Sequence, residues 1–217
     1  MNNNVFDPEK IYTEVINKPQ TLEAYSKWDY ISDIENLVLS YIPDNLGVIV
    51  EFGCGAGRFT KELSSKCNQY IGIDNSEKML DLAKKKHPQI KFVLKDVADA
   101  ALSNYKCECV LFMHNGIDSI YPSMRRNQVL KNAFDILIPN GYFIYSSHLP
   151  LVSNGIMIES NGHKYYKEDY HGSEIWVHRA TLAELEREII SVGFKIVNKL
   201  YNYYNNDCWI YFIVKKF

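Results

Sequence analysis

Val48-Ile49-Val50-Glu51-Phe52-Gly53-Cys54-Gly55-Ala56-Gly57 is the stretch that decides how this chain folds. An apolar run ends in an acidic residue and opens directly into three alternating glycines. Arg58–Ser65 then reads as a helix, and a second apolar run, Tyr70–Asp74, closes on another acid. The order is strand, glycine turn, helix, strand and a carboxylate suited to a ribose, the front of a nucleotide-type site. Glycine tolerates positive φ and lets the backbone approach a ligand with no Cβ in the way. The N–H groups opening the next helix favour an anionic group there. A dinucleotide fingerprint, Gly-x-Gly-x-x-Gly, would need its third glycine at position 58, which is Arg58. The spacing here is Gly-x-Gly-x-Gly, so a nicotinamide cofactor is disfavoured.

Outward from this stretch, strands and helices alternate. Strands are expected at Val48–Phe52, Tyr70–Asp74, Ile90–Lys95, Cys107–Met113 and Tyr142–Ser147. Between them fall helices at Arg58–Ser65, Glu77–Lys86 and Ser123–Leu137, with a short turn near Asp99–Leu102. Ser76 offers an N-cap for Glu77–Lys86, and His87-Pro88 stops it. Such alternation predicts a parallel sheet covered on both faces and joined by right-handed crossovers. Upstream, residues 5–17 and 22–42 read as two helices, the second striped by Ile31, Ile34, Leu37, Val38, Tyr41 and Ile42 at helical spacing. Downstream, Gly155, Asn161-Gly162 and Gly172 punctuate short alternating runs at Ile156–Glu159 and Glu174–His178, a small antiparallel insertion in which Asn-Gly is a hairpin signal. Thr181 and Glu184 form a capping box for a helix that Gly193 closes. Lys195–Tyr204 and Asp207–Val214, joined by Asn205-Asn206, form a final hairpin.

The acidic residue at Glu51, the three glycines and Asp74 together resemble the class I S-adenosylmethionine-dependent methyltransferases, from about residue 40 nearly to the end. The resemblance implies an α/β fold: a doubly wound, mostly parallel seven-stranded sheet with helices on both faces and an antiparallel last strand. Residues 1–42 would be an N-terminal helical lid, and residues 43–217 the methyltransferase domain, with its insertion at about 151–180 after the fifth strand. It implies S-adenosyl-L-methionine as cofactor, S-adenosyl-L-homocysteine as product, and a cofactor site on Glu51, Gly53, Cys54, Gly55, Gly57, Asp74, Asn75, Met79, Asp96, Val97 and His114. The loop would hold the methionine part near Glu51, and Asp74 the ribose. Asp96 and the backbone of Val97 would meet adenine, and Met79 would cover one face of the ring. As residues alone, Met79 reads equally as helix core and Asp96 as a turn former. Pro139-Asn140-Gly141 departs from the family's Pro-Gly-Gly, and Asn tolerates left-handed geometry well enough to keep the turn.

The methyl acceptor is less legible. His114, His148 and Asp118 are the candidate catalytic residues, a histidine being suited to general-base work near neutral pH. His114 reads equally as a histidine hydrogen-bonded at a strand end. Tyr12, Tyr25, Trp28, His148 and Glu174 are the candidate acceptor pocket. Transfer to oxygen or nitrogen displaces an excellent leaving group, so alignment is the main task and a base is needed only when the acceptor must lose a proton. Absence of an Asn-Pro-Pro-aromatic motif and of a Pro-Cys nucleophile lowers methylation of nucleic-acid bases. A formal charge of −2 and a pI near 6.3 give no general pull on polyanions. A small-molecule acceptor is expected. A non-catalytic cofactor-binding module and methylation of a peptide or nucleic acid remain as alternatives, and a homodimer stays open.

At 217 residues, 47% hydrophobic and 23% charged, the composition suits one soluble α/β domain with a modest addition. Five cysteines without a C-x-x-C point to reduced thiols in a cytoplasmic protein. No run approaches a membrane span, and the residues after Met1 have no signal-peptide pattern. His163, His171 and His178 match no strong ligand spacing, so no metal is expected.

Overall fold

In the computed structural model, residues 6–99, 102, 105–150, 155–204 and 207–217 are described. Seven strands form one sheet: β1 (Leu46–Phe52), β2 (Cys67–Asp74), β3 (Lys91–Leu94), β4 (Cys107–Phe112), β5 (Leu137–His148), β9 (Phe194–Tyr204) and β10 (Asp207–Lys216). Their order is β3-β2-β1-β4-β5-β10-β9. β1 pairs in parallel with β2 and β4, β2 with β3, and β4 with β5. β10 runs antiparallel to both β5 and β9. The chain order reverses between β1 and β4, which is where open α/β sheets place their ligands.

Apolar strands need cover on both faces. On one face α6 (Ser123–Ile136) and α7 (Leu182–Val192) bury Val129, Leu130, Ala133, Leu185 and Ile189 against Val50, Val110, Phe143 and Phe212. On the other, α3 (Asp33–Leu39) and the residues around α4 (Thr60–Ser64) bury Val38, Leu39, Ile42 and Leu63 against Ile49, Leu111, Ile144 and Ile213. α5 (Glu77–Lys86) follows the expected bounds, with the Ser76 hydroxyl accepting from the Met79 N–H at 3.2 Å. Asn140 takes φ 67° before the long outer stretch of β5, so the turn survives without the family's glycine.

Three expectations need correction. The helix drawn over 22–42 is two elements. α1 (Pro8–Ile16) is followed by α2 (Pro19–Lys27), which ends before Trp28, and α3 starts afresh at Asp33. The restart is a full capping box, Ser32 with Glu35, and Arg58 Nη1 donates to the Tyr30 carbonyl at 2.9 Å across the break. Secondly, the helix at Arg58–Ser65 shortens to Thr60–Ser64 because the glycine turn consumes the residues before it. Thirdly, the insertion has three strands: β6 (Met157–Ser160), β7 (His163–Tyr170) and β8 (Ser173–His178), in the order β6-β7-β8. β7 carries no alternating signal in the sequence because it buries only Tyr165 fully and is otherwise polar. Asn161-Gly162 and His171-Gly172, all four at positive φ, make its two turns. Residues 100 and 101 of the turn expected at Asp99–Leu102, and Asn205-Asn206, lie outside the described residues. No helix among the described residues is long and apolar enough to cross a membrane.

Candidate active site

The ends of β1, β2, β3 and β4 converge on one cavity, floored by Glu51, Gly53, Asp74, Asp96 and His114. Glu51, the last inward carboxyl of β1, is 2% exposed and accepts a very short hydrogen bond from the Tyr70 hydroxyl, which also meets Thr60 Oγ1 at 3.2 Å. Burial pushes the Glu51 carboxyl up to about 8, against the pull of the Tyr70 bond and the Arg58 charge. At neutral pH it is therefore mostly a neutral acid with one lone pair spoken for.

Next comes the loop. Gly53 and Gly55 sit at φ 61° and 52°, a left-handed geometry that costs other residues roughly 1–2 kcal/mol. The Gly55 N–H donates to Asp74 Oδ2 at 2.8 Å and the Ser76 N–H to Asp74 Oδ1 at 2.8 Å. Asp74 thus braces the loop and starts α5 while keeping further lone pairs towards the cavity. Burial raises its pKa, and the backbone donors only partly offset that. Gly57 is placed differently: it does not line the cavity. His87 Nε2 donates to its carbonyl at 3.0 Å, and a Cβ there would meet the His87 ring at 3.0 Å and Thr60 Oγ1 at 3.1 Å. The third glycine serves close packing of the loop on α5.

Asn75, Met79, Val97 and Cys54 also line the cavity. Met79 is 1% exposed and packs with Ile16 and Ala56, so it is core and wall at once. Asp96 accepts from the Ala98 N–H at 2.8 Å and from Arg125 Nη2 at 2.5 Å. Arg125 reaches on to Glu9 of α1 at 3.0 Å, and Glu9 also takes the Tyr121 N–H at 2.8 Å. The first helix is thereby tied to the end of β3.

The roof is aromatic. Tyr12, Tyr25 and Trp28 line the cavity from above, and the Tyr25 hydroxyl forms a very short hydrogen bond with Tyr170, at the end of β7. Burial raises the pKa of Tyr12 and Tyr170 well above 10, so both stay phenolic. Arg58 holds the roof down. Its guanidinium lies 4.2 Å over the Trp28 ring and 4.1 Å over Phe59, and it grips Glu35 through two bonds of 2.5 and 2.9 Å. Glu35 therefore caps α3 and anchors Arg58 with the same carboxylate.

His114 lines the cavity at φ 57°, beside Asn115 at φ 55°. Its ring packs edge-on to Trp28 at 4.6 Å and to Trp209 at 5.6 Å, and Nδ1 has no partner among the described residues. Burial, then the Arg58 charge, lowers its pKa to about 3. It can accept or donate one hydrogen bond as a neutral ring, but is too weak a base to be charged at neutral pH.

Three candidates fall elsewhere. His148 and Asp118 do not line the cavity. His148 Nδ1 donates to Asp118 Oδ2 at 2.8 Å, Asn115 Nδ2 donates to Nε2 at 3.1 Å, and Ser147 donates to Asp118 Oδ1 at 2.7 Å. With every polar atom of the His148 ring engaged and 6% of the residue exposed, the pair braces the segment after β4 from behind. Glu174 is an exposed residue of β8 paired with Lys167, facing away from the cavity. Among the described residues no cluster of three or more His, Cys, Asp or Glu could hold a metal. Arg58, His87, Glu9 and Arg125 are not among the site residues expected from the sequence. Only Arg58, directly after the loop, carried a positional hint; the others arrive from remote elements.

The residues present fit S-adenosylmethionine. A buried carboxyl with a spare lone pair suits an ammonium group, the glycine loop leaves room for backbone contact, and Asp74 faces the cavity where a diol would lie. Comparison with known proteins agrees. The family described as "Methyltransferase domain" matches residues 49–141, from β1 into β5. Carboxy-S-adenosyl-L-methionine synthase of Wolinella succinogenes is 26% identical over 203 residues, 83% of this chain and 81% of that protein. Trans-aconitate 2-methyltransferase of an Acidovorax strain is 47% identical over 55 residues, 24% of this chain and 21% of that protein. The solved structure of magnesium protoporphyrin IX methyltransferase from Synechocystis, with its cofactor bound, matches with a TM-score of 0.70 over 99% of this chain and 100% of that one, at 15% identity, a likeness of fold. Strand order, glycine loop and the family match over residues 49–141 together support a class I S-adenosylmethionine-dependent methyltransferase.

Proposed function

We propose that this protein transfers a methyl group from S-adenosylmethionine to an oxygen or nitrogen of a small molecule. The observation that carries the reading is one cavity combining the glycine loop, Glu51, Asp74 and Asp96 below with Tyr12, Tyr25 and Trp28 above. The cofactor supplies an electrophilic methyl on a sulfonium. The roles of the chain's own residues follow from their positions. Glu51 would take the ammonium group and Asp74 the ribose hydroxyls. Asp96, oriented by Arg125, would accept from the adenine amine beside the Val97 backbone, with Met79 against the ring. The helices up to Trp28, with Tyr170, would act as the lid and exclude water. A roof tied down by Arg58 and Tyr170 suits a compact acceptor better than a polymer.

His114, which lines the cavity, would contact the acceptor or the methyl-bearing end. Its low basicity suits it to alignment and not to proton removal, so the acceptor would be a nucleophile that needs no base, such as a free amine or a carboxylate, or one that loses its proton to water. Alignment alone can supply several kcal/mol of the barrier reduction. Calorimetric titration with S-adenosylmethionine, S-adenosylhomocysteine and NAD tests the cofactor, and methyl transfer to a panel of small amines, phenols and carboxylates tests the acceptor. Binding of NAD alone would overturn the proposal.

A second reading is favoured by the similarity across most of the chain to a carboxy-S-adenosyl-L-methionine synthase: the cofactor itself would be the molecule modified. Mass spectrometry of S-adenosylmethionine after incubation with the protein and candidate carboxyl donors, bicarbonate and carboxylic acids able to lose carbon dioxide, separates the two, since only this second reading yields a carboxylated cofactor.

A further inference from the structure

A second cavity, of about 410 Å³, lies between the insertion sheet and α7, and shares no lining residue with the first. His178 lines it from the end of β8, His163 and Lys164 from β7, and Glu188 and Arg187 from α7. Polar groups are buried around it without partners. His178 is 2% exposed, and its Nδ1 has no hydrogen bond among the described residues. Behind the lining, the hydroxyl of Tyr165, whose ring lies 5.7 Å from that of His178, and Nη1 of Arg126 on α6 neighbour each other and are otherwise without a hydrogen bond among the described residues. The His163 ring is 5.5 Å from His178.

Leaving buried donors unmatched costs about 1–3 kcal/mol each, so this arrangement asks for something to accept from them. Arg126, with a side chain 2% exposed, has one carboxylate, Glu188, at 3.1 Å on Nη2. Arg179 is already balanced by Glu168 at 2.5 Å and Asp207 at 2.7 Å. Glu184 is occupied by the cap of α7, accepting from the Thr181 N–H and hydroxyl at 2.7 Å each. Lys164 and Arg187 add two cations at the mouth. Burial, then the Arg126 charge, holds His178 neutral with its pKa down to about 2, leaving it able to donate from one nitrogen. The four cations are matched by four carboxylates, so it is the buried donors of Arg126, Tyr165 and His178 that exceed the acceptors around them.

We propose that this cavity binds a small oxyanion, a carboxylate or phosphate group of a metabolite, with His178 as the buried contact, Arg126 and Tyr165 behind it and Lys164 and Arg187 at the rim. The volume falls within the ordinary range for small-molecule sites. The site is separate from the cofactor cavity, and does not depend on the methyl-transfer reading. α6 connects the two in sequence, because Arg125 faces Asp96 and its neighbour Arg126 faces Glu188.

The test titrates the full chain with sodium phosphate, sodium malonate and, as a neutral control, glycerol, in the presence and absence of S-adenosylhomocysteine. Calorimetry gives the affinity, and carbon-13-labelled histidine reports the His163 and His178 rings by NMR. The expected result is saturable binding of at least one anion and none of glycerol, unaffected by S-adenosylhomocysteine, with both ring signals moving. Phosphate alone would mark a phosphate ester, malonate alone a carboxylate, and both a general oxyanion site. Lys164→Gln with Arg187→Gln changes only exposed side chains, and should weaken binding about tenfold, two charge contacts together. His178→Phe should abolish it. Anion binding that the Lys164/Arg187 pair leaves unchanged, or that leaves both histidine signals still, would overturn the proposal, as would no binding at all.

Discussion

Replacing Glu51 with glutamine should stabilise the protein, and more so as pH rises. The carboxyl is 2% exposed, and burial lifts its pKa from 4.5 to about 8. Between those values the folded chain keeps a proton that the unfolded chain has released. Stability must therefore fall as pH rises through this window and level off above it. At 1.36 kcal/mol per pH unit the full penalty is roughly 5 kcal/mol above pH 8 and about 1 kcal/mol at pH 5. Relaxation and water reduce such figures severalfold; a third of it is still about 1.5 kcal/mol, or roughly 3–6 °C in Tm for a chain of this size. Glutamine keeps an acceptor for the Tyr70 hydroxyl and removes the titration. Thermal unfolding of both proteins without ligand, from pH 5 to pH 9, should show curves that nearly meet at the acid end and separate steadily to pH 8. The same change should weaken S-adenosylmethionine about tenfold at pH 8, the loss of one charge-assisted hydrogen bond. A difference in Tm independent of pH would refute the reasoning, because it would mean Glu51 is ionised in the folded chain throughout.

Asp74→Ala should weaken S-adenosylmethionine by about 10- to 100-fold in calorimetry and also lower Tm, since the Gly55 and Ser76 N–H groups both lose their acceptor. Gly57→Ala places a Cβ 3.0 Å from His87 at φ 79°; a Tm drop with cofactor affinity falling only in step would confirm that this glycine packs and does not bind. Because His114 is held near pKa 3, methyl transfer at saturating cofactor should show no inflection near pH 6.5 that His114→Asn removes. Such an inflection would restore His114 as a base. Arg58→Lys keeps the charge but loses the bidentate grip on Glu35 and the flat contact with Trp28, so KM for cofactor and acceptor should rise more than kcat falls.

Val48–Gly57 and Asp74 by themselves settled the sheet class, the cofactor class and the line of residues at the strand ends. These are local matters: an apolar run makes a strand, a glycine permits a left-handed turn, and a short crossover sets which residues face the same end. The capping boxes at Ser32 and Thr181 were equally legible, because both partners lie within one turn of helix. Tertiary structure alone decided the rest. Tyr170 meets Tyr25, Arg125 joins Glu9 to Asp96, and His87 holds Gly57 across separations that carry no periodic signal. It also turned His148 and Asp118 inward upon each other, although a histidine at a strand end reads the same whether it faces a ligand or a buried carboxylate. Which of the two holds depends on what packs against that strand end, and this is a property of the whole fold.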